Sequence, residues 1–292
     1  MKKKLLFLLI VAFSGVAGAQ QKSSEKNTDN NRVVPNHPII FNGTRVINSH
    51  STEMLEKGML DFRILHRFGF INDGIKQFFG LDAAAFRMSF DYGISKDLMV
   101  GIGRSTFRKE VDAFFKTRLL RQKNDKKKRS VSLLVAGGYV IHTDESFAAK
   151  KPSLADRSAY YLQVIAGRKF NSAFSLQLSP VLVHTNIPFP KTDDRKIFAL
   201  GGGMKYNINS RFALTADYHH PFGSLAAHYT DPFSLGVDIV AGEPVLQLHF
   251  SNATGMNERA FITQTTGDFF KGDIRFGFNL SRLFRLRHSN RK

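Results

Sequence analysis

The sequence predicts an all-β protein, a transmembrane antiparallel up-and-down β-barrel of about twelve strands. Three observations predict this fold. Apolar and polar residues alternate with a period of two along segments of about ten residues, the length with which a tilted strand crosses a bilayer. The apolar positions carry large side chains, and the polar positions carry charges of both signs. The links between segments are alternately short and long, which is typical of a meander with two different rims.

The composition excludes several other classes of protein. The chain has 292 residues and no Cys, which excludes a disulfide scaffold, a zinc–thiolate site and a thiol nucleophile. A hydrophobic content of 42% is too high for a disordered chain. The only apolar run near the length of a membrane helix lies at the N-terminus, so a helical membrane protein is excluded.

The N-terminus predicts a cleaved signal peptide over residues 1–19. Residues 2–4 are lysines, residues 5–13 form an apolar run, and residues 17–19 are small, as at a cleavage site. An uncleaved anchor helix is the alternative, and the shortness of the run argues against it. We therefore expect an exported protein with no nucleic-acid partner, despite its net charge of +18.

The residues that follow divide into three parts. Residues 20–56 begin as a polar stretch without periodicity, which predicts a mobile N-terminal segment. The strand pattern begins near Gly58, and we expect the barrel to cover residues 57–284. Residues 285–292 form a basic C-terminal tail.

The strands are predicted from their alternation. In the first of them, apolar Phe62 lies between charged Asp61 and Arg63, and the same period continues on both sides. Clear alternation covers residues 60–68, 86–93, 111–119, 131–142, 174–182, 211–218, 246–251 and 273–280. Less regular runs cover residues 98–107, 159–170, 197–207 and 232–241, which gives twelve strands in all.

The links predict the orientation of the barrel. Those after strands two, six, eight and ten are tight, whereas those after strands one, five, seven, nine and eleven are longer. Outer-membrane barrels have short periplasmic turns and longer external loops. An even number of strands then leaves both termini on the periplasmic side.

The two strand faces predict a lipid-facing exterior and a charged lumen. A small water-soluble barrel places its apolar face inward, but here that face is crowded with large side chains, which favours lipid outside and water inside. Arg63 shares a face with Asp61, and Arg87 is near Asp91. The predicted lumen-lining residues are Asp61, Arg63, Arg67, Arg87, Asp91, Asp112, Lys116, Arg118, Lys205, Arg211, Asp217, His249, Asp273 and Arg275.

Two functions are open for such a lumen. It is either a polar or mildly anion-favouring passage for small polar or anionic solutes, or a set of cross-strand ion pairs that fills the barrel and leaves it a structural or partner-binding protein. The basic run 121–129 is either a contact for lipid headgroups or an acidic partner, or a solvated turn. The run Gly201–Gly203 follows no phosphate-loop pattern and allows a bend or a close approach of side chains.

An enzymatic alternative rests on His249 and Ser251. The segment His249-Phe250-Ser251-Asn252 resembles the His-x-Ser-Asn element of the outer-membrane phospholipase, and a His and a Ser two residues apart share one strand face. In that family the pair faces lipid, whereas here Leu248 and Phe250 take the lipid face. We therefore predict no catalytic residues, no cofactor and no metal; the ten histidines are scattered polar residues.

Several segments resemble one family. Ile47-Asn48-Ser49-His50-Ser51, the run from Gly58 to Gly69, and Phe250 through Arg259-Ala260-Phe261-Ile262 are similar to an uncharacterised outer-membrane β-barrel family of Bacteroidota. The resemblance covers most of the mature chain and implies a barrel in the outer membrane, without implying an activity. The expected partners are outer-membrane lipid and the barrel-insertion machinery, and the oligomeric state stays open.

Overall fold

The structure is a computed structural model, and it describes residues 37–123, 130–144, 153–188, 191–240 and 245–286. The predicted signal peptide, residues 20–36 and the tail from residue 287 lie outside the described residues. None of the helices in the described part of the chain is long and apolar enough to span a membrane.

Twelve antiparallel strands of the described residues close into one barrel. Each strand pairs with its neighbours in the chain, and β12 pairs with β1, where Ile64 lies opposite Leu280. The predicted fold is thereby confirmed. The strands are β1 Met59–Phe70, β2 Ala84–Ser95, β3 Leu98–Ser105, β4 Glu110–Leu120, β5 Ser132–His142, β6 Ser158–Lys169, β7 Phe174–Thr185, β8 Lys196–Asn207, β9 Phe212–Phe222, β10 Phe233–Val240, β11 Val245–Ser251 and β12 Arg275–Arg285.

The alternation of side chains places apolar residues outside and polar residues inside. In β2, Phe90 is 51% exposed whereas Arg87 and Asp91 are buried, and the same pattern recurs around the barrel. A closed barrel leaves no unpaired backbone edge, so its backbone is stable in hydrocarbon. Its exterior side chains are apolar and would be unfavourably exposed in water. The exterior is therefore a membrane-facing surface.

The barrel has two rims. The terminal rim, where β1 begins and β12 ends, also carries the links after the even-numbered strands. The loop rim carries the links after the odd-numbered strands. The longest of these joins β11 to β12 and contains helix α1, Glu258–Thr263, and a 3-10 turn, Phe269–Lys271. Other 3-10 turns of the described residues are Ile71–Asp73, Ile75–Gly80 and Phe107–Lys109.

The segment before β1 lies inside the barrel. Residues 40–53, which we term the hairpin, double back at a bridge between Arg45 and His50. Val46 N–H donates to the Ser49 carbonyl at 2.9 Å and Ser51 N–H donates to the Thr44 carbonyl at 3.0 Å. Residues 44–52 are all buried. The sequence predicts a mobile segment over residues 20–56; the hairpin, which belongs to it, is largely buried, and its polar groups bind the charged wall.

Candidate functional site in the barrel lumen

Two segments fill the lumen. The hairpin is continuous with the terminal rim, and the loop-rim insert, residues 252–265, is continuous with β11. All six residues of α1 are buried, although a six-residue helix has little intrinsic stability. Its N-terminus is capped by Asn257, whose side chain accepts a hydrogen bond from Ala260 N–H at 2.9 Å.

Lys116 on β4 is the main contact between the wall and the hairpin. Its fully buried Nζ donates to the carbonyl oxygens of Thr44 at 3.0 Å, Ser51 at 3.1 Å and Glu53 at 2.6 Å. An ammonium group has three N–H donors, and all three have a carbonyl partner here. One wall side chain therefore holds both arms of the hairpin.

Four further wall side chains donate to hairpin carbonyls. Asn279 reaches the Ile47 carbonyl at 3.0 Å, and Gln247 reaches the Val46 carbonyl. The remaining two bonds run from Arg118 to the Thr52 carbonyl at 2.8 Å and from Gln177 to the His50 carbonyl at 2.8 Å. Since only two hydrogen bonds in the described structure join main-chain groups within the hairpin, the wall satisfies main-chain groups that a sheet would otherwise satisfy.

The wall also accepts hydrogen bonds from the hairpin. One carboxylate oxygen of Asp217 accepts from the N–H groups of Asn48 and Ser49, each at 2.9 Å, and its other oxygen accepts from the Ser49 hydroxyl at 3.0 Å. Arg67 donates to the Asn48 side chain at 2.9 Å. The tip of the hairpin is thus fixed between an acidic and a basic wall residue.

The ion pairs of the wall agree with the predicted neighbours at one position and differ at another. Arg63 binds Asp61 at 2.7 Å, as their shared face suggested, and also the Thr44 hydroxyl at 2.6 Å. Arg87 does not pair with its strand neighbour but forms a two-bond contact with Asp112 across β3, at 2.8 and 2.5 Å. Gly103 on β3 allows this, because a Cβ there would lie 2.2 Å from the Arg87 guanidinium.

The two inserted segments meet at Glu258. This buried residue of α1 lies 3.0 Å from Arg45 Nη1 and 3.4 Å from His50 Nε2, both of the hairpin. The same His50 nitrogen lies 3.0 Å from the Tyr161 hydroxyl. Burial, followed by the nearby charge of Arg45, lowers the pKa of His50 well below its usual value. The ring is therefore neutral, and only Arg45 forms an ion pair with Glu258.

Glu110 of the wall holds the loop-rim insert. The carboxylate of Glu110 on β4 accepts from the Asn257 side chain at 2.6 Å and from the Arg259 guanidinium. Because Arg259 and Glu110 are both buried, each needs the other as a counter-charge. The insert is thus tied to the wall as well as to the hairpin.

Glycines of the wall make room for the hairpin. A Cβ at Gly167 would lie 2.5 Å from the Thr52 methyl group, and one at Gly203 would lie 2.9 Å from a Val46 methyl group. Distances below 3.0 Å cannot be accommodated without movement. Gly203 therefore allows a close approach of side chains, as the sequence predicted for the run Gly201–Gly203.

The structure separates the fourteen predicted lumen residues into three groups. Arg211 is exposed in the turn before β9, and Asp273 lies before β12, where it accepts from Asn72 at 2.6 Å, so neither lines the lumen. Both were assigned to strands that begin later than their alternation suggested. Arg118 and Arg275 are half-buried, and Arg275 stacks 3.5 Å from the ring centre of Phe70 at the loop rim. The buried members are Asp61, Arg63, Arg67, Arg87, Asp91, Asp112, Lys116, Lys205, Asp217 and His249.

His249 and Ser251 are both buried and face away from lipid. In the described part of the chain, neither ring nitrogen of His249 has a hydrogen-bond partner. The Ser251 hydroxyl accepts from Ser234 at 2.7 Å and from Ala253 N–H at 3.0 Å. A base that activates a serine needs contact with it and a group that orients the ring, and this pair shows neither.

A cavity of about 350 Å³ lies between the hairpin and the ends of β1 and β10–β12 at the terminal rim. Its polar lining groups already have partners: Asp61 binds Ser281 at 2.6 Å, and Asp238 binds Asn42 at 3.1 Å. The described residues contain no group of three or more His, Asp or Glu that could hold a metal ion.

Residues 124–129 of the basic run lie outside the described residues, whereas Arg121 contacts Asp97 at 3.4 Å.

Residues 41–284 match the family described as the membrane-bound β-barrel domain, DUF5777. The chain belongs to this family. A comparison with curated proteins found no match. Among solved structures, a NanC porin is 9% identical with a TM-score of 0.46, and the match covers 78% of this chain and 100% of that one. A KdgM porin is 9% identical with a TM-score of 0.46 over 77% and 99%. CdiB from Acinetobacter baumannii is 9% identical with a TM-score of 0.33 over 80% and 61%.

Proposed function

We propose that this protein is a channel-like barrel of a Gram-negative outer membrane, through which small polar or anionic solutes pass when the hairpin leaves its place on the wall. The arrangement described above is then the closed state. A Bacteroidota origin, export by a cleaved signal peptide, and contacts with outer-membrane lipid and the barrel-insertion machinery belong to the same proposal.

The polar character of the hairpin–wall interface carries this proposal. Main-chain groups of the hairpin bind Lys116, Arg118, Gln177 and other polar side chains of the wall. When a hydrogen-bonded polar interface separates, water replaces each lost bond, so the net cost is about 0.5–1.5 kcal/mol for a neutral bond and about 1.5–3 kcal/mol for a bond to a charged group. An apolar core would instead lose about 25 cal/mol for every Å² that becomes wet. The interface is thus of a kind that can open.

The charges that opening would free favour anions. Lys116 and Arg118 bind neutral carbonyl groups of the hairpin, and Arg67 binds the neutral side chains of Asn48 and Asn279. Other arginines of the wall are paired with aspartates. Departure of the hairpin would free these three cations and Lys205, which donates to Asn42, together with the carboxylates of Asp217 and Asp238, so the open lumen would have a positive excess.

An engineered disulfide tests the proposal. Since the chain has no Cys, the double variant Thr52→Cys with Gly167→Cys carries one possible disulfide. The two positions face each other, because a Cβ at Gly167 would lie 2.5 Å from the Thr52 methyl group, and a small shift of the hairpin would give the Cβ–Cβ separation of about 3.5–4.5 Å that a disulfide needs. We expect no current from the oxidised protein in planar bilayers and stepwise, anion-preferring current after reduction. The single variant Thr52→Cys serves as the control, because it conducts whether or not reductant is present.

The competing function is a closed structural or partner-binding barrel, which the presence of the hairpin and the loop-rim insert in the lumen favours. Absence of current from reduced, oxidised and unmodified protein alike would contradict the channel and favour this alternative. Hydrolysis of lipid by His249 and Ser251 has no support from their positions. Its assay compares phospholipid hydrolysis by the purified protein with that by Ser251→Ala.

A further inference from the structure

We propose that the lumen wall is a binding site for a polypeptide that doubles back on itself, and that the hairpin occupies this site as an internal substitute for a peptide ligand. This inference rests on the proposed function, since it names the class of solute that the opened lumen takes. Within the described residues, the wall binds nine main-chain groups of the hairpin, and it also contacts the side chains of Asn42, Thr44, Asn48, Ser49 and His50.

The wall contacts form a main-chain pattern. Within the described residues, five wall side chains donate to seven hairpin carbonyl oxygens, those of Thr44, Val46, Ile47, His50, Ser51, Thr52 and Glu53. Asp217 accepts from two consecutive N–H groups. Consecutive N–H groups flanked by regularly spaced carbonyls are a feature of polypeptides, and sugars or inorganic anions lack it.

Main-chain recognition implies low dependence on sequence. Peptide-binding proteins that add a strand to a sheet gain affinity from main-chain hydrogen bonds and specificity from side-chain pockets. Here the donors are long wall side chains, led by Lys116 with three carbonyls. Any peptide that doubles back as the hairpin does offers carbonyl groups of both arms to these donors, so the wall would accept peptides of varied sequence.

Three glycines of the wall leave room for the side chains of an inserted polypeptide. Gly167, Gly203 and Gly236 lie next to hairpin side chains, and a Cβ at each would come within 2.5 to 3.2 Å of Thr52, Val46 or Ile47. The wall is therefore flat where side chains of an inserted chain press on it. Among the residues that the structure describes, the polar contacts between the hairpin and the loop-rim insert are those of Arg45 and His50 with Glu258.

The test uses the full chain with the double variant Arg45→Ala, His50→Ala, which loosens the hairpin and keeps every wall donor. The probes are a fluorescent synthetic peptide of residues 41–53, a scrambled peptide of the same composition, and polyethylene glycol of similar length as a competitor. Fluorescence anisotropy in detergent measures binding, and bilayer current measures passage separately.

We expect both peptides to bind the double variant at least tenfold more tightly than the unmodified protein, and polyethylene glycol to leave them bound. Adding Lys116→Met should weaken binding at least tenfold, whereas Lys96→Met, at a side chain 85% exposed on the terminal rim, should leave it unchanged. The proposal is overturned if neither peptide binds, if only the unscrambled peptide binds, or if Lys116→Met has no effect. Binding without current would contradict solute passage alone, and current without binding would contradict only the peptide site.

Discussion

Arg45 and Glu258 form a buried ion pair at 3.0 Å inside the barrel, although one belongs to the hairpin before the first strand and the other to a helix before the last. Their side chains are 2% and 1% exposed, so neither charge has water as an alternative partner. The pair joins two segments that are continuous with opposite rims. The filling of the lumen is therefore one connected structure, and a change at either insert acts on the other.

Breaking this pair should favour opening. In Glu258→Gln the buried guanidinium of Arg45 loses its counter-charge, and removal of one partner of a buried pair costs about 3–5 kcal/mol. We expect a larger open fraction in single-channel records. Glu56→Gln is the matched control, because Glu56 is 79% exposed and pairs with Arg285 at 3.5 Å on the surface. Equal open fractions in both variants would contradict the role of the pair.

Enlarging Gly203 should displace the hairpin, whereas enlarging its neighbour should not. A side chain at Gly203 meets Val46 at 2.9 Å, but at Gly202, which faces outward, the nearest atom is 3.9 Å away. Overpacking costs about 1–3 kcal/mol. We expect Gly203→Val to expose the hairpin to protease in detergent and Gly202→Val to leave it protected. Protection of both would place the hairpin elsewhere.

Opening should increase on acidification through His50. Its pKa in the closed state is lowered by burial and by Arg45, with Lys116, Arg87 and Arg63 acting in the same direction. The closed state therefore requires a neutral His50 ring. In the open state His50 has about the ordinary histidine pKa of 6.5, so as the pH falls below that value its protonation increasingly favours the open state. Above that pH the effect is absent.

This prediction is tested by measuring the open fraction of the channel at several pH values from about 8 to about 5, an interval that spans the ordinary histidine pKa. Around His50 lie Glu258 from α1, Tyr161 from β6 and the cations named above. His50→Gln removes the titrating ring and should flatten the profile. A profile unchanged by this substitution would assign the pH dependence to another group.

A charge on the exterior should hinder membrane insertion. Phe90 is 51% exposed in the middle of β2, and an arginine at the bilayer midplane of a barrel costs about 2–4 kcal/mol. We expect Phe90→Arg to lower the folding yield in lipid vesicles. Phe78→Arg, at an equally exposed Phe in a turn of the loop rim, should fold as the unmodified protein does. Equal yields would contradict a lipid-facing exterior.

Much of the lumen could be anticipated from local pattern. The alternation that placed Phe62 outside also placed Asp61 and Arg63 inside, since period two follows from strand geometry alone. The partner of Arg87 could not be foreseen, because Asp112 lies two strands away and its approach depends on a glycine of the strand between. Arg211 and Asp273 were misplaced because alternation does not mark where a strand begins.

The sequence by itself determined the closed sheet, its twelve strands, its apolar exterior and its polar interior. These features follow from the period-two alternation of side chains and from the different surroundings of the two strand faces. Only the tertiary structure decided what fills the interior. Residues 40–53 and 252–265 have no periodic pattern of strands, since many of their polar groups bind the surrounding wall and not the next strand of a sheet. Contacts between residues as distant as Arg45 and Glu258 exist only once the barrel has closed around them.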